Sequence, residues 1–189
     1  MIAAASLVSA CGSHATHHAT GISGAGSSGV ADANNNGGYV KAGPLTYQLQ
    51  ISRELNQYLP MDSGYVTGLP KGESKLDPNQ LWFGVFLWAK NETQRTLTTS
   101  DNIDIVDTQG TMYHPLKLDR ALNPYAWESQ SLAPGATEPN PNTTAGVGPA
   151  GGSLLLFKLN NSIYDNRPLT LQIRAPSGKK VWATISLDL

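Results

Sequence analysis

From residue 44 onward the apolar residues recur every second position, and this period constrains the chain more than any other feature. Leu45, Tyr47, Leu49 and Ile51 share one side of an extended backbone, while Thr46, Gln48, Gln50 and Ser52 share the other. The period returns at Ile103-Asp104-Ile105, at Leu116-Lys117-Leu118, at Leu169, Leu171 and Ile173, and at Val181, Ala183, Ile185, Leu187 and Leu189. Successive side chains of a strand point to opposite faces, so each stretch predicts a strand with one buried side. Residues 81–89 and 154–159 are apolar on both faces, the pattern of strands at the centre of a sheet. With Gly 19 and Pro 12 in 189 residues, turns are plentiful. Asp107-Thr108-Gln109-Gly110 and Pro176-Ser177-Gly178 read as hairpin turns, because Asp bonds its own backbone and Gly accepts positive φ. Residues 133–152 read as a long surface loop, and residues 53–58 as a single helical turn. The expected fold is all-β: an antiparallel two-sheet sandwich over residues 44–189, preceded by a disordered tail.

The first ten residues are apolar or small, far short of the ~20 that span a bilayer. They match the apolar core and small-residue cleavage site of a secretory signal with a truncated charged region. Val8-Ser9-Ala10-Cys11 resembles the bacterial lipobox, in which the peptide is cut before a cysteine that carries acyl chains. Cys11 is therefore the expected lipid-attachment residue, and two acyl chains suffice for stable membrane attachment. Residues 11–43 are dominated by Gly, Ala, Ser, Asn, Thr and His. Such a stretch cannot bury enough surface to offset its ordering entropy, and it reads as a tether. Its His14, His17 and His18 are weak candidates for holding copper, nickel or zinc.

Net charge is -1, with charged residues at only 14%, which excludes the basic face of a nucleic-acid protein. A single cysteine excludes a disulfide framework and any multi-cysteine metal site. His114 is the only histidine after the tether, and no Gly-x-Ser-x-Gly elbow or Gly-x-x-x-x-Gly-Lys-Ser/Thr phosphate loop occurs. No catalytic residue and no cofactor is expected. Asp101, Asp104 and Asp107 alternate faces on a strand, so turn formation and outward solvation explain them better than calcium does. Three stretches fit the glycosylation acceptor pattern, among them Asn91-Glu92-Thr93, and none is assigned a modification. The candidate binding patch is aromatic: Trp82, Phe86 and Trp88 fall on one face of residues 81–89, around Gly84. Left bare, that face would suit a sugar ring or a partner protein; residues 53–76 or 133–152 are the expected cover.

Gly84-Val85-Phe86-Leu87, then Asn91-Glu92-Thr93, then the run from Ile103 through the Asp107 turn to Tyr113, resemble telokin-like immunoglobulin-fold domains of bacterial lipoproteins. Ser52-Arg53-Glu54-Leu55-Asn56, Arg167-Pro168-Leu169 and Leu187-Asp188-Leu189 are similar to uncharacterised actinobacterial-type lipoproteins. The resemblance implies that the all-β sandwich over residues 44–189 is an immunoglobulin-like antiparallel two-sheet sandwich, an extracytoplasmic module without established catalytic residues. The expectation is a cell-envelope lipoprotein, held at the membrane by its lipid anchor, whose sandwich binds or scaffolds an envelope protein or a glycan. Metal handling through the tail histidines, and a secreted hydrolase built on His114, are the alternatives.

Overall fold

A computed structural model describes residues 30–33 and 37–187. In chain order the strands are β1 (Ala31–Ala33), β2 (Tyr39–Ala42), β3 (Leu45–Leu55), β4 (Gln80–Lys90), β5 (Leu97–Thr98) and β6 (Ile103–Val106). They continue as β7 (Met112–Tyr113), β8 (Ser131–Leu132), β9 (Thr137–Glu138), β10 (Ser153–Asn160), β11 (Leu169–Arg174) and β12 (Val181–Leu187). Among the described residues two short α-helices, α1 (Pro60–Ser63) and α2 (Thr144–Val147), and a 3-10 helix at Asn161–Asp165 sit between strands. Sheet one runs β1-β12-β11-β6-β7, and sheet two runs β10-β4-β3-β2, with β9 also pairing β4. The protein is the all-β two-sheet sandwich that the period predicts. Its pairings are antiparallel apart from β1, which lies parallel to β12. No helix among the described residues is long and apolar enough to cross a membrane.

Alternation decides what each strand buries. Leu81, Phe83, Val85, Leu87 and Ala89 of β4 meet Ile103, Ile105, Leu171, Ile173, Ala183 and Ile185 of sheet one in the main core. Each Val, Leu, Ile or Phe among them, fully removed from water, contributes about 1.5–3 kcal/mol before the entropy of ordering is subtracted. The other face of β4 forms a second core, in which Trp82 and Phe86 join Leu55, Tyr65, Leu154 and Leu156. Gly84 permits this packing, since a Cβ there would stand 2.9 Å from Leu55 Cδ1. The outward positions Thr170, Gln172, Arg174, Thr184 and Ser186 of sheet one are polar and half-buried.

Several expectations need correction. The ordered domain starts before residue 44: β1 and β2 lie in the stretch read as tether, stabilised by pairing with β12 and β3. Residues 53–55 complete β3, and the helical turn comes later, where Pro60 opens α1. Leu116-Lys117-Leu118 is not a strand. It forms a single backbone bond to the edge of β10, from Leu116 N to Leu156 O at 2.7 Å, and sends Leu116 and Leu118 into the second core. The loop over 133–152 contains β9 and α2. Both hairpin turns form as expected, with Gly110 and Gly178 at positive φ.

Candidate functional site

Cys11, His14, His17 and His18 lie outside the described residues. The aromatic face of β4 is placed on one side, as alternation requires, but it is not a surface. Trp82 and Phe86 are fully buried. Residues 57–76 fold back across them: Trp82 Nε1 donates to Gln57 Oε1 at 3.0 Å, and Tyr65 meets Phe86 edge to face at a centroid distance of 4.8 Å. Trp88 alone is half-buried, with its ring against Tyr39. Two members of the candidate patch, Trp82 and Phe86, therefore belong to a second core while Trp88 stays at its margin, because an apolar sheet face this large gains more by covering itself than by facing water.

His114 is exposed but not unpartnered. Its Nδ1 lies 2.6 Å from Asp104 Oδ1, and Arg174 Nε donates to Asp104 Oδ2 at 3.3 Å. Asp104 is buried rather than solvated outward, a correction that follows from this bracing on both sides. A carboxylate on Nδ1 fixes the ring orientation and leaves Nε2 toward solvent. Asp107 is likewise buried, accepting from the Gln109 and Thr111 amides and from the Tyr113 hydroxyl. Burial opposes its charge, yet these bonds hold its carboxyl below the usual range. Asp101 faces a third way and accepts from Ser129 N. The three aspartates thus serve three separate turns and braces, and among the described residues no three His, Cys, Asp or Glu side chains gather as a metal site.

The more developed site lies at the β10 edge of the sandwich. Residues 115–127 cross that edge, held by Leu154 N to Tyr125 O at 2.7 Å, Trp127 N to Leu154 O at 2.8 Å and the Leu116 bond. Between this segment and Leu154 and Leu155 opens a cleft of about 530 Å³. Its polar lining comes from Asp101, Lys117, Asp119, Arg120 and Glu128, and its aromatic lining from Trp127. The indole is fixed from behind: Nε1 donates to Ser100 O at 3.0 Å, and the Tyr47 ring packs against it at 6.2 Å. Behind Arg120 stands Glu138, fully buried on β9 and, like its partner Ser153, on the core side of sheet two. Ser153 Oγ donates to Glu138 Oε1 at 2.7 Å, whereas Oε2 has no hydrogen-bond partner among the described residues. Arg120 approaches Oε1 only to 4.0 Å while also meeting Glu128 at 3.5 Å. Burial pushes the Glu138 carboxyl up from its ordinary value, partly offset by the Ser153 bond and the Arg120 charge. Glu138 is invisible to periodicity, being one acid in a Pro- and Gly-rich loop.

No family model matches the chain, and no curated protein matches it. Among solved structures, the chain is similar to the yjhA protein from Bacillus subtilis, at 9% identity over 82% of this chain and 99% of that one, with a TM-score of 0.48. An uncharacterised β-sandwich protein from Clostridium difficile is similar at 11% identity, over 84% and 96% of the two chains, with a TM-score of 0.42. The ycdA protein from Bacillus subtilis, a candidate lipoprotein, is similar at 12% identity and a TM-score of 0.47; 78% of this chain covers 38% of that one.

Proposed function

We propose that the chain is a cell-envelope lipoprotein whose extracytoplasmic sandwich is a non-catalytic binding module, with the β10-edge cleft as its binding site. The lipobox at Cys11 supports the anchor, and the likeness to telokin-like domains of bacterial lipoproteins belongs to the same reading. One observation carries the rest. The N-terminal chain enters at β1, which with β12 packs against β2 and closes one edge of the sandwich. Strand β10, where the cleft opens, is at the opposite end of sheet two. A module anchored through its N-terminus therefore turns this cleft away from its point of attachment. A cleft on strand and braced-loop scaffolding is also the arrangement that keeps a binding surface rigid.

Two measurements test the reading. Mass spectrometry of protein extracted from native membranes should find Cys11 acylated and residues 1–10 removed; an intact leader with a free thiol would overturn the anchor. A photoreactive residue placed at Lys117 in living cells should form an adduct, while one placed at Thr170 on the polar face of sheet one should not. Absence of any adduct at Lys117 would overturn the assignment of the cleft.

A further inference from the structure

We infer that the β10-edge cleft takes a neutral saccharide, which lays a ring against Trp127 and sends hydroxyls to Arg120 and Glu138; this rests on the reading of the cleft as the binding site. Charge selects first. Four carboxylates, of Asp101, Asp119, Glu128 and Glu138, stand in or behind the cleft against the two cations of Lys117 and Arg120. That excess disfavours phosphates and carboxylates, and Arg120 at the mouth of the Glu138 site disfavours a cationic ligand.

Hydrogen-bonding capacity selects next. Glu138 Oε2 is a buried acceptor without a partner among the described residues, and such a group is costly to leave unsatisfied. Arg120, which lines the cleft, approaches the other oxygen of this carboxyl, Oε1, to 4.0 Å and Glu128 to 3.5 Å, with over a third of its side chain exposed. The Arg120–Glu128 pair is exposed and such pairs contribute little, so a ligand group competes with it readily. The group must donate to a carboxylate and accept from a guanidinium, and a hydroxyl does both. A hydroxyl also serves Glu138 in either protonation state, accepting from the acid as well as donating to the anion. The aromatic wall selects last. An indole fixed by Ser100 and Tyr47 presents a rigid apolar surface at no further cost in side-chain entropy. Apolar faces and equatorial hydroxyls together are the chemistry of a sugar ring.

The test titrates the full chain with maltotriose, cellotriose and triacetylchitotriose, following tryptophan fluorescence and heat of binding. At least one should bind saturably. Glu138→Gln and Arg120→Gln should each weaken it about tenfold, the equivalent of one charge-assisted bond. Met61→Ser, in the separate groove beside Ile51 and Leu59, should leave it unchanged. Thermal melts of each variant establish that it is folded. No binding of any of the three sugars, or equal affinity in both cleft variants, would overturn the inference. A protein adduct at Lys117 alongside absent sugar binding would overturn it while leaving the binding-module reading intact. No sugar binding and no adduct together would remove both.

Discussion

Asn91 offers the sharpest test of how the sandwich is held together beside its cleft. It follows the last residue of β4 and is fully buried. Its Nδ2 donates to Arg95 O at 2.7 Å and to Leu132 O at 2.8 Å, while its Oδ1 accepts from Thr93 N and Thr93 Oγ1 at 3.0 and 2.8 Å. Its backbone adds bonds to Ala136 O and from Gly135 N. One amide therefore joins residues 91–95 to residues 131–136, the segment that leads into β9 and Glu138. Asn91→Ala removes four side-chain bonds at once. The Leu132 carbonyl is buried and cannot be rehydrated, at a cost of about 1–3 kcal/mol. The Arg95 and Thr93 groups lie nearer solvent, and each bond lost there costs about 0.5–1 kcal/mol net. The sum is about 2.5–6 kcal/mol, a large share of the 5–15 kcal/mol that stabilises a typical domain. Asn91→Asp separates donors from acceptors. It retains the bonds from Thr93 but aims a carboxylate oxygen at two carbonyls, so at pH 7 it should destabilise at least as much as alanine. Below the carboxylate range the protonated acid regains one donor, and part of the loss should return. Urea unfolding followed by tryptophan fluorescence at pH 7 and pH 4 measures all three proteins. A cost below 1 kcal/mol for Asn91→Ala, or an aspartate variant as stable as the parent at pH 7, would refute the reasoning. The same burial leaves Asn91 inaccessible to glycosylation in the folded domain.

Two further predictions concern charge and backbone. Glu138 binds its proton more tightly folded than unfolded, so its contribution is fully present below the ordinary glutamate pKa and is lost as pH rises through the raised folded value. Glu138→Gln, which can keep its acceptor for Ser153, should therefore gain stability relative to the parent as pH rises from 4 to 8; a pH-independent difference in urea midpoints would contradict this. Gly43 has φ +60 and faces the Trp182 ring, where a Cβ would lie 2.9 Å away. Gly43→Ala should cost about 1–3 kcal/mol from the left-handed backbone and the contact combined, visible as a lowered Tm, and an unchanged Tm would show that the β2–β3 turn tolerates both.

The sequence discloses what is local and hides what is supplied from afar. β11 and β12 are legible because alternation and the Pro176-Ser177-Gly178 turn point to the same hairpin. β4 is legible as a central strand because both its faces are apolar. β1 and β2 are not, since Ala31-Asp32-Ala33 and Tyr39-Val40-Lys41-Ala42 are too short for a period, and their ladders come from β12 and β3. Leu116-Lys117-Leu118 shows the converse: it has the period, but β10 offers it one bond and its leucines are drawn over the sheet face instead. The cover on Trp82 and Phe86 comes from residues 57–76, which carry no regular pattern. The His114–Asp104 pair was within reach of the sequence. Once the turn at 107–110 is accepted, Ile105 pairs with Tyr113, and continuing that register places Asp104 opposite His114. Glu138 had no such signal; only the tertiary fold turns it inward.

The cleft and the protection of the sheet have a common origin. An eight-residue apolar strand at a sheet edge presents unpaired backbone groups and invites association with another chain. Here residues 115–127 occupy the first half of that edge, with Ala126 bridging Leu154 in parallel and Leu116 bonding Leu156. The segment follows the edge irregularly and not as a ladder, so its side chains need not alternate into the core. Lys117 and Arg120 are thereby free to line a cleft while their backbone neighbours satisfy β10, and Trp127 lines it while its own amide bonds Leu154. Leu116 and Ala126 hold the edge through their backbone, Leu116 and Leu118 pack on the second core while also lining the cleft, and Lys117, Asp119, Arg120 and Glu128 give the cleft its charge. Substitutions of Lys117 or Arg120 should therefore alter recognition with little effect on the sandwich, whereas substitutions of Leu116 or Ala126 should weaken both together.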